Sequence, residues 1–196
     1  MTPEGIILAA GLSHRSGDFK LLRMLNGRTV LECSIAGMAA VCERIVVVGG
    51  FQAERLKPLL AKYPGVELVF NPDYAAGMFT SVKTGVRNVL SDSFFILPGD
   101  IPLVPEAVYR LLAAAPGDIA VPAYRGRRGH PVHIRSRLIP FILAWPDGST
   151  LAAFIRHRTF ATVAVAAEEI LLDLDTAADY QRLIRRREDH KVDCGG

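Results

Sequence analysis

Four short, mostly apolar runs, at residues 5–9, 44–48, 66–70 and 93–97, alternate with longer stretches whose apolar residues recur every three or four positions. A run with apolar side chains on both sides of the backbone is a strand buried on both faces. Parallel strands need long crossovers, and the intervening stretches have helical length and period. The pattern therefore predicts an α/β fold: an open, doubly wound, mainly parallel sheet in three layers. Ligands of such sheets bind at the C-terminal ends of the strands.

The predicted helices of this half cover residues 29–41, 53–62 and 77–90. Beyond residue 100 the order is less regular. Helices are expected at 105–114, 149–157 and 179–187, and strands at 118–122, 131–134 and 161–166. A length of 196 residues suits one domain. The expected domain is residues 1–187, and residues 188–196, which lack an apolar period, are expected to be a disordered tail.

Composition removes several function classes. The chain is 50% hydrophobic and 22% charged, which is globular. The net charge of +3 is small and its cations are scattered, apart from Arg185-Arg186-Arg187 near the end of the last predicted helix. A basic stripe with interleaved aromatics is missing, so no nucleic-acid partner is expected. Cys33, Cys42 and Cys194 form neither a disulfide framework nor a zinc motif, and the first two fall in an apolar stretch as core thiols. The run at residues 5–12 has no basic leader, and no apolar run reaches about 18 residues, so a cytoplasmic protein without membrane association is expected.

The loop after the first strand carries the densest chemistry: Leu8-Ala9-Ala10-Gly11-Leu12-Ser13-His14-Arg15-Ser16-Gly17-Asp18-Phe19-Lys20. Small residues let backbone approach a ligand, Ser13 offers a hydroxyl, and Arg15 and Lys20 offer two cations. That combination suits a polyphosphate. It is neither a Walker loop nor a dinucleotide fingerprint. Asp100 follows an apolar strand at once, which sets a carboxylate at the same edge of the sheet. A carboxylate facing phosphates calls for a bridging divalent cation, Mg²⁺ in the simplest case.

The pattern Leu-Ala-Ala-Gly-x-Ser-x-Arg-x-Gly-x-x-Lys-x-Leu resembles the signature of the MobA-like nucleotidyltransferases, and within them the MocA-like molybdenum cofactor cytidylyltransferases. The resemblance continues through Asn71-Pro72-Asp73-Tyr74-Ala75-Ala76-Gly77-Met78, Gly99-Asp100-Ile101-Pro102-Leu103, Gly129-His130-Pro131-Val132 and Asp173-Leu174-Asp175-Thr176. It implies a Rossmann-like fold that moves a nucleotidyl group from a nucleoside triphosphate to a phosphorylated acceptor and releases pyrophosphate. It also implies a nucleotide site built from Leu8, Ala9, Ala10, Gly11, Ser13, Arg15, Lys20, Thr80, Ser81 and Asp100. Arg15, Lys20 and Asp100 would be catalytic, and Asp100 with Asp175 would hold Mg²⁺, with Asp173 as the alternative second carboxylate. The Leu-Ala-Ala-Gly form implies CTP over GTP. An anionic acceptor, a molybdopterin-type cofactor, would meet Arg128, Gly129, His130 and Pro131 beside Arg125 and Arg127, and a client molybdoenzyme would be a partner.

Two roles stay open at this level. The Ser81 hydroxyl contacts base or ribose, or it serves the start of a helix. His130 borders the acceptor, or it fixes a turn. Ser16 stands where the family commonly has Met or Phe, and Ala177-Ala178 where it often has Pro-Glu. Trp145 and Pro146 read as an exposed loop without chemistry.

Overall fold

A computed structural model describes residues 2–11, 19–25 and 27–174. Its centre is a sheet in the order β10-β7-β9-β6-β1-β4-β5. The strands are β1 (Glu4–Ala9), β4 (Ile45–Gly49), β5 (Val66–Phe70), β6 (Ser93–Pro98), β7 (Ile119–Tyr124), β9 (Val132–Arg135) and β10 (Ala161–Ala164). A short β8 (Arg127–Arg128) pairs with β7, and β2 (Met24–Leu25) with β3 (Arg28–Thr29) forms a separate ribbon. The helices are α1 (Val30–Ala39), α2 (Lys57–Leu60), α3 (Met78–Val86), α4 (Glu106–Ala114), α5 (Ile139–Ala144) and α6 (Leu151–Arg156).

The apolar runs become two cores by simple alternation. Along β1, Ile7 and Ala9 enter one cluster, with Leu31, Ile35 and Tyr109 of α1 and α4. Ile6 and Leu8 enter the other, with Phe79 and Val82 of α3 and Phe154 of α6. Val47 and Phe95 share the first cluster, Val46 and Phe94 the second. Successive strand side chains point to opposite faces, so a run with no polar interruption is what two covered faces require. Truncating a fully buried member such as Ile7 to Ala would cost about 2–5 kcal/mol.

β1, β4, β5 and β6 are mutually parallel, as predicted. β9 runs antiparallel to both β6 and β7. The cause is local: residues 125–126 form a two-residue turn between β7 and β8, and so short a link joins only antiparallel strands. Arg125 (φ 48°) and Gly126 (φ 80°) both take left-handed backbone, as a type I′ turn demands.

The helix predicted at 53–62 is broken. A 3-10 turn (Ala53–Leu56) precedes the short α2. Pro58 lacks an N–H and its ring opposes the carbonyl four residues earlier, so a continuous α-helix cannot run through it. Trp145 is half-buried rather than exposed. Its ring meets Phe154 edge-on at 5.5 Å and its indole N–H donates to Ser149 Oγ at 2.8 Å. One helix of the second half, α5, has no counterpart in the sequence reading, and the helix expected at 179–187 lies outside the described residues.

Candidate active site

The C-terminal ends of β1 and β6 lie side by side, with Leu8 opposite Pro98. Lys20 and Asp100 leave the two strands toward one crevice. Lys20 opens a 3-10 turn (Lys20–Leu22) whose neighbours Phe19 and Leu21 are buried, which anchors its stem. Asp100 sits in a turn fixed from several sides. Gly99 N–H donates to the Leu8 carbonyl at 2.9 Å, and Ile101 N–H to the Pro98 carbonyl at 3.2 Å. The buried Ser34 Oγ on α1 donates to the Gly99 carbonyl at 2.9 Å. α1 is itself pinned at its start by a capping box between Thr29 and Glu32.

Between these anchors Lys20 Nζ stands 2.6 Å from Asp100 Oδ2, with the side chains 29% and 22% exposed. The two residues that the sequence assigns to phosphate and to metal are therefore brought into direct contact. Gly11 is exposed at the mouth of the crevice, and Ala9 and Ala10 are buried beneath it. Gly50 is required there: a Cβ would come 2.6 Å from the Tyr74 Cβ and 2.8 Å from the Ala10 Cβ. Ser13 and Arg15, and Asp175, lie outside the described residues. The segment that leads to Asp175 reaches the site, because Leu174 N–H donates to the Asp100 carbonyl at 3.1 Å. Asp173 in that segment is exposed.

His130 arrives from the other side through an interruption in the sheet. β7 pairs with β9 as Ala120 with His133, and with β8 as Ala123 with Arg128, so the register shifts by two residues between them. Continued in the β9 register, the ladder would place Pro122 opposite Pro131, and neither has an N–H to give. The chain bulges instead. Gly129 N–H donates to the Pro122 carbonyl and His130 N–H to the Ile170 carbonyl, each at 3.0 Å. A side chain at Gly129 would overlap the Ile170 carbonyl, so glycine is needed for the close approach.

The His130 Nδ1 is buried without a hydrogen-bond partner. Burial lowers its pKa, opposed by the charge of Asp100 and by the backbone of Ile96. Both readings of this residue survive: its backbone fixes the bulge, and its ring is a polar group with unused capacity next to Asp100. Beyond the bulge Arg125, Arg127 and Arg128 are exposed. Arg128 lies over the Phe160 ring at 4.7 Å and Arg125 over Tyr124 at 5.2 Å.

Thr80 and Ser81 are buried and belong to a hydrogen-bond network. Asn71 Nδ2 donates to Thr80 Oγ1 and Ser81 Oγ, each at 2.9 Å, and Asp73 N–H donates to Asn71 Oδ1 at 3.0 Å. Thr80 Oγ1 also donates back to the Asp73 and Gly77 carbonyls. The Ser81 hydroxyl accepts the Asn71 bond beside the start of α3. Asn71, 1% exposed, ties the end of β5 to that start and was not singled out from the sequence. Its place in the turn signal Asn-Pro-Asp was the available clue.

Cys33 and Cys42 are buried, as core thiols, and burial pushes the Cys42 thiol up to about 12. Among the described residues no group of three or more His, Cys, Asp or Glu forms a metal cluster, and no helix is long and apolar enough to cross a membrane. A separate recess of about 260 Å³ opens at the opposite edge of the sheet, lined by Pro3, Glu4, Glu43, Arg44 and Leu90 among others.

Known proteins are similar to this chain in sequence and fold. Residues 5–163 match the model of the MobA-like NTP transferase domain family. The chain is 31% identical over 176 residues to the molybdenum cofactor cytidylyltransferase of Escherichia coli K12, covering 89% of this chain and 92% of that one. It is 33% identical over 137 residues to a probable molybdenum cofactor guanylyltransferase of Methanosarcina mazei, covering 66% of this chain and 61% of the relative. Among solved structures, a nucleotidyl transferase from Methanothermobacter thermautotroptrophicus superposes with a TM-score of 0.82 at 23% identity, over 94% of this chain and 97% of that one. The chain belongs to the MobA-like NTP transferase family and is a nucleotidyltransferase.

Proposed function

We propose that the protein transfers CMP from CTP to the phosphate of a molybdopterin-type cofactor. The observation that carries the reading of the site is the meeting of Lys20 and Asp100 at 2.6 Å, at the edge of the sheet where the first loop ends. The cytidylyltransferase relative supports the substrate: that match spans 92% of the relative, whereas the guanylyltransferase match spans 61%. Leu8-Ala9-Ala10-Gly11 agrees with this preference.

In the reaction an oxygen of the acceptor phosphate forms a bond to the α-phosphorus. The bond from that phosphorus to the bridging oxygen breaks, and pyrophosphate leaves with the electron pair. No side-chain nucleophile is needed, because such transfers depend on positioning and on charge stabilisation. Lys20, with Arg15 and Ser13, would hold the β- and γ-phosphates and offset charge growing on the leaving group. The turn fixed by Asn71, Thr80 and Ser81 would border the base.

The residues present fit a hard divalent cation. Mg²⁺ is commonly held by one or two carboxylates together with substrate phosphates, and Asp100 offers a partly exposed carboxylate on a rigid turn. Asp175, one residue beyond the bond from Leu174 to Asp100, would be the second ligand. When bound, the ion neutralises phosphate charge and polarises the α-phosphoryl group. Arg128, Gly129, His130 and Pro131 would receive the anionic acceptor, with the unpartnered His130 Nδ1 as a hydrogen-bonding group. A client molybdoenzyme would then take the product.

Pyrophosphate release measured with CTP or GTP, Mg²⁺ and molybdopterin tests this. Release with CTP at least about tenfold faster than with GTP is expected. Faster release with GTP would move the chain to the guanylyl branch, and release only with sugar or alcohol phosphates would replace the acceptor. Cofactor binding with no release under any condition would make the protein a maturation factor that carries cofactor without changing it.

A further inference from the structure

We propose that Arg55 is a phosphate-binding residue, a cation that meets the pyrophosphate end of the nucleoside triphosphate from the β4 side of the first loop. The inference rests on the nucleotidyl-transfer reading above and adds to that site a residue from outside the loop.

Arg55 belongs to the 3-10 turn (Ala53–Leu56) that follows β4. The last residue of β4, Gly49, is paired with Ala9, the last residue of β1. The turn therefore starts at the edge of the sheet from which the first loop departs. Ala53 packs closely on that end, since a Cβ at Gly49 would come 2.7 Å from the Ala53 Cβ. From there the Arg55 guanidinium lies over the ring of Phe19, 5.6 Å from its centroid. Phe19 is the buried residue immediately before Lys20. The loop is thus flanked by Asp100 on the β6 side and by an arginine on the β4 side.

The guanidinium is oriented but keeps its charge. Its Nη1 donates to Gln52 Oε1 at 2.7 Å, a neutral partner. Among the described residues no carboxylate pairs with Arg55, and the adjacent Glu54 pairs with Lys57 at 2.7 Å. Gln52 itself takes left-handed backbone (φ 55°), which costs energy in a residue with a side chain and persists only where its surroundings hold it. The strained residue is the one whose carboxamide holds Arg55. With Nη1 tied back, the Nε–Nη2 edge of the fork matches two oxygens of one phosphate. Pyrophosphate gains negative charge as it leaves, so a cation at that end stabilises the transition state as well as the bound nucleotide.

Titration calorimetry of the wild type and R55M with Mg·CTP and Mg·GTP, at about 0.05 M and about 0.5 M NaCl, tests this. Whichever nucleotide the wild type binds is expected to bind R55M about tenfold more weakly at low salt, about 1.4 kcal/mol, and only about threefold more weakly at high salt, where charge is screened. A loss of the same size at both salt concentrations marks a packing role on Phe19 and overturns the assignment. R55Q repeats the comparison if R55M melts early. No binding of either nucleotide by the wild type sinks the nucleotidyl-transfer reading and the assignment with it. Binding that is equal in the wild type and R55M sinks the assignment alone.

Discussion

The sheet carries an acid–base pair at each edge, and the two are built differently. At the N-terminal edge, Arg44 reaches Glu4 at 3.1 Å, Glu67 at 2.8 Å and the Asn88 carbonyl at 2.7 Å, while Glu4 also accepts the Leu90 N–H at 3.0 Å. Both side chains there are saturated with protein partners. At the C-terminal edge Lys20 meets Asp100 where ligands of such folds bind, with a buried and unpartnered His130 ring nitrogen nearby. The same charges serve as a rivet at one edge and as exchangeable contacts at the other. Position relative to the ligand-binding end of the sheet, rather than the presence of opposite charges, tells the two apart.

The largest expected effect is on the exchangeable side. Asp100→Ala is expected to lower kcat/KM by roughly 10²–10³-fold, about 3–4 kcal/mol of transition-state stabilisation, with little change in Tm. A variant that unfolds instead would make Asp100 a second rivet. Arg44→Ala should do the reverse. It leaves Glu4, only 9% exposed, without its countercharge, and is expected to cost about 3 kcal/mol in urea unfolding while kcat is retained. Lost turnover in a folded Arg44→Ala protein would erase the division between the edges.

The interior between the edges adds a pH test. His133 is buried beside Phe95, with ring centroids 4.8 Å apart, and burial lowers its pKa to about 4, helped by Arg135. Its unfolded value is near 6.5, so the unfolded chain binds the proton first. The contribution is fully present above about pH 6.5 and is lost as pH falls toward 4, an expected slope totalling about 3 kcal/mol. Urea unfolding across that range checks it, and His133→Gln should flatten it. The smallest effect belongs to Ser34→Ala, which removes one buried hydrogen bond under the Asp100 turn. About 1 kcal/mol of stability is expected to go, with a raised KM for the nucleotide. An unchanged KM would mean that the Leu8, Pro98 and Leu174 contacts suffice to hold Asp100.

Regularity decided what was legible in the sequence. The first half repeats strand, helix and loop, and its runs at β1, β4 and β6 announced both their burial and the edge where Lys20 and Asp100 meet. The direction of β9 was not legible, because it follows from the turn at Arg125-Gly126, and the bulge before it follows from two prolines that a continued ladder would set opposite each other. Asn71 was hidden for a related reason. Its side chain partners lie nine and ten residues onward, across a turn, where no short-range period reports them. The Ser81 hydroxyl was legible as a group but not as a direction, since a motif fixes residue type and not where the oxygen points. Arg44 stood only as the first residue of a strand-length run, and nothing local said that Glu4 and Glu67 flank it.

The bond from Leu174 N–H to the Asp100 carbonyl also has a consequence for synthesis. A growing chain holds Asp100 long before it holds the segment that bonds to its carbonyl. At about 5–20 residues per second, the 74 residues that separate positions 100 and 174 take roughly 4–15 seconds to add. During that interval the nascent protein already has much of its sheet but only part of its site. The Asp100 turn thus receives this hydrogen bond only at a late stage of translation.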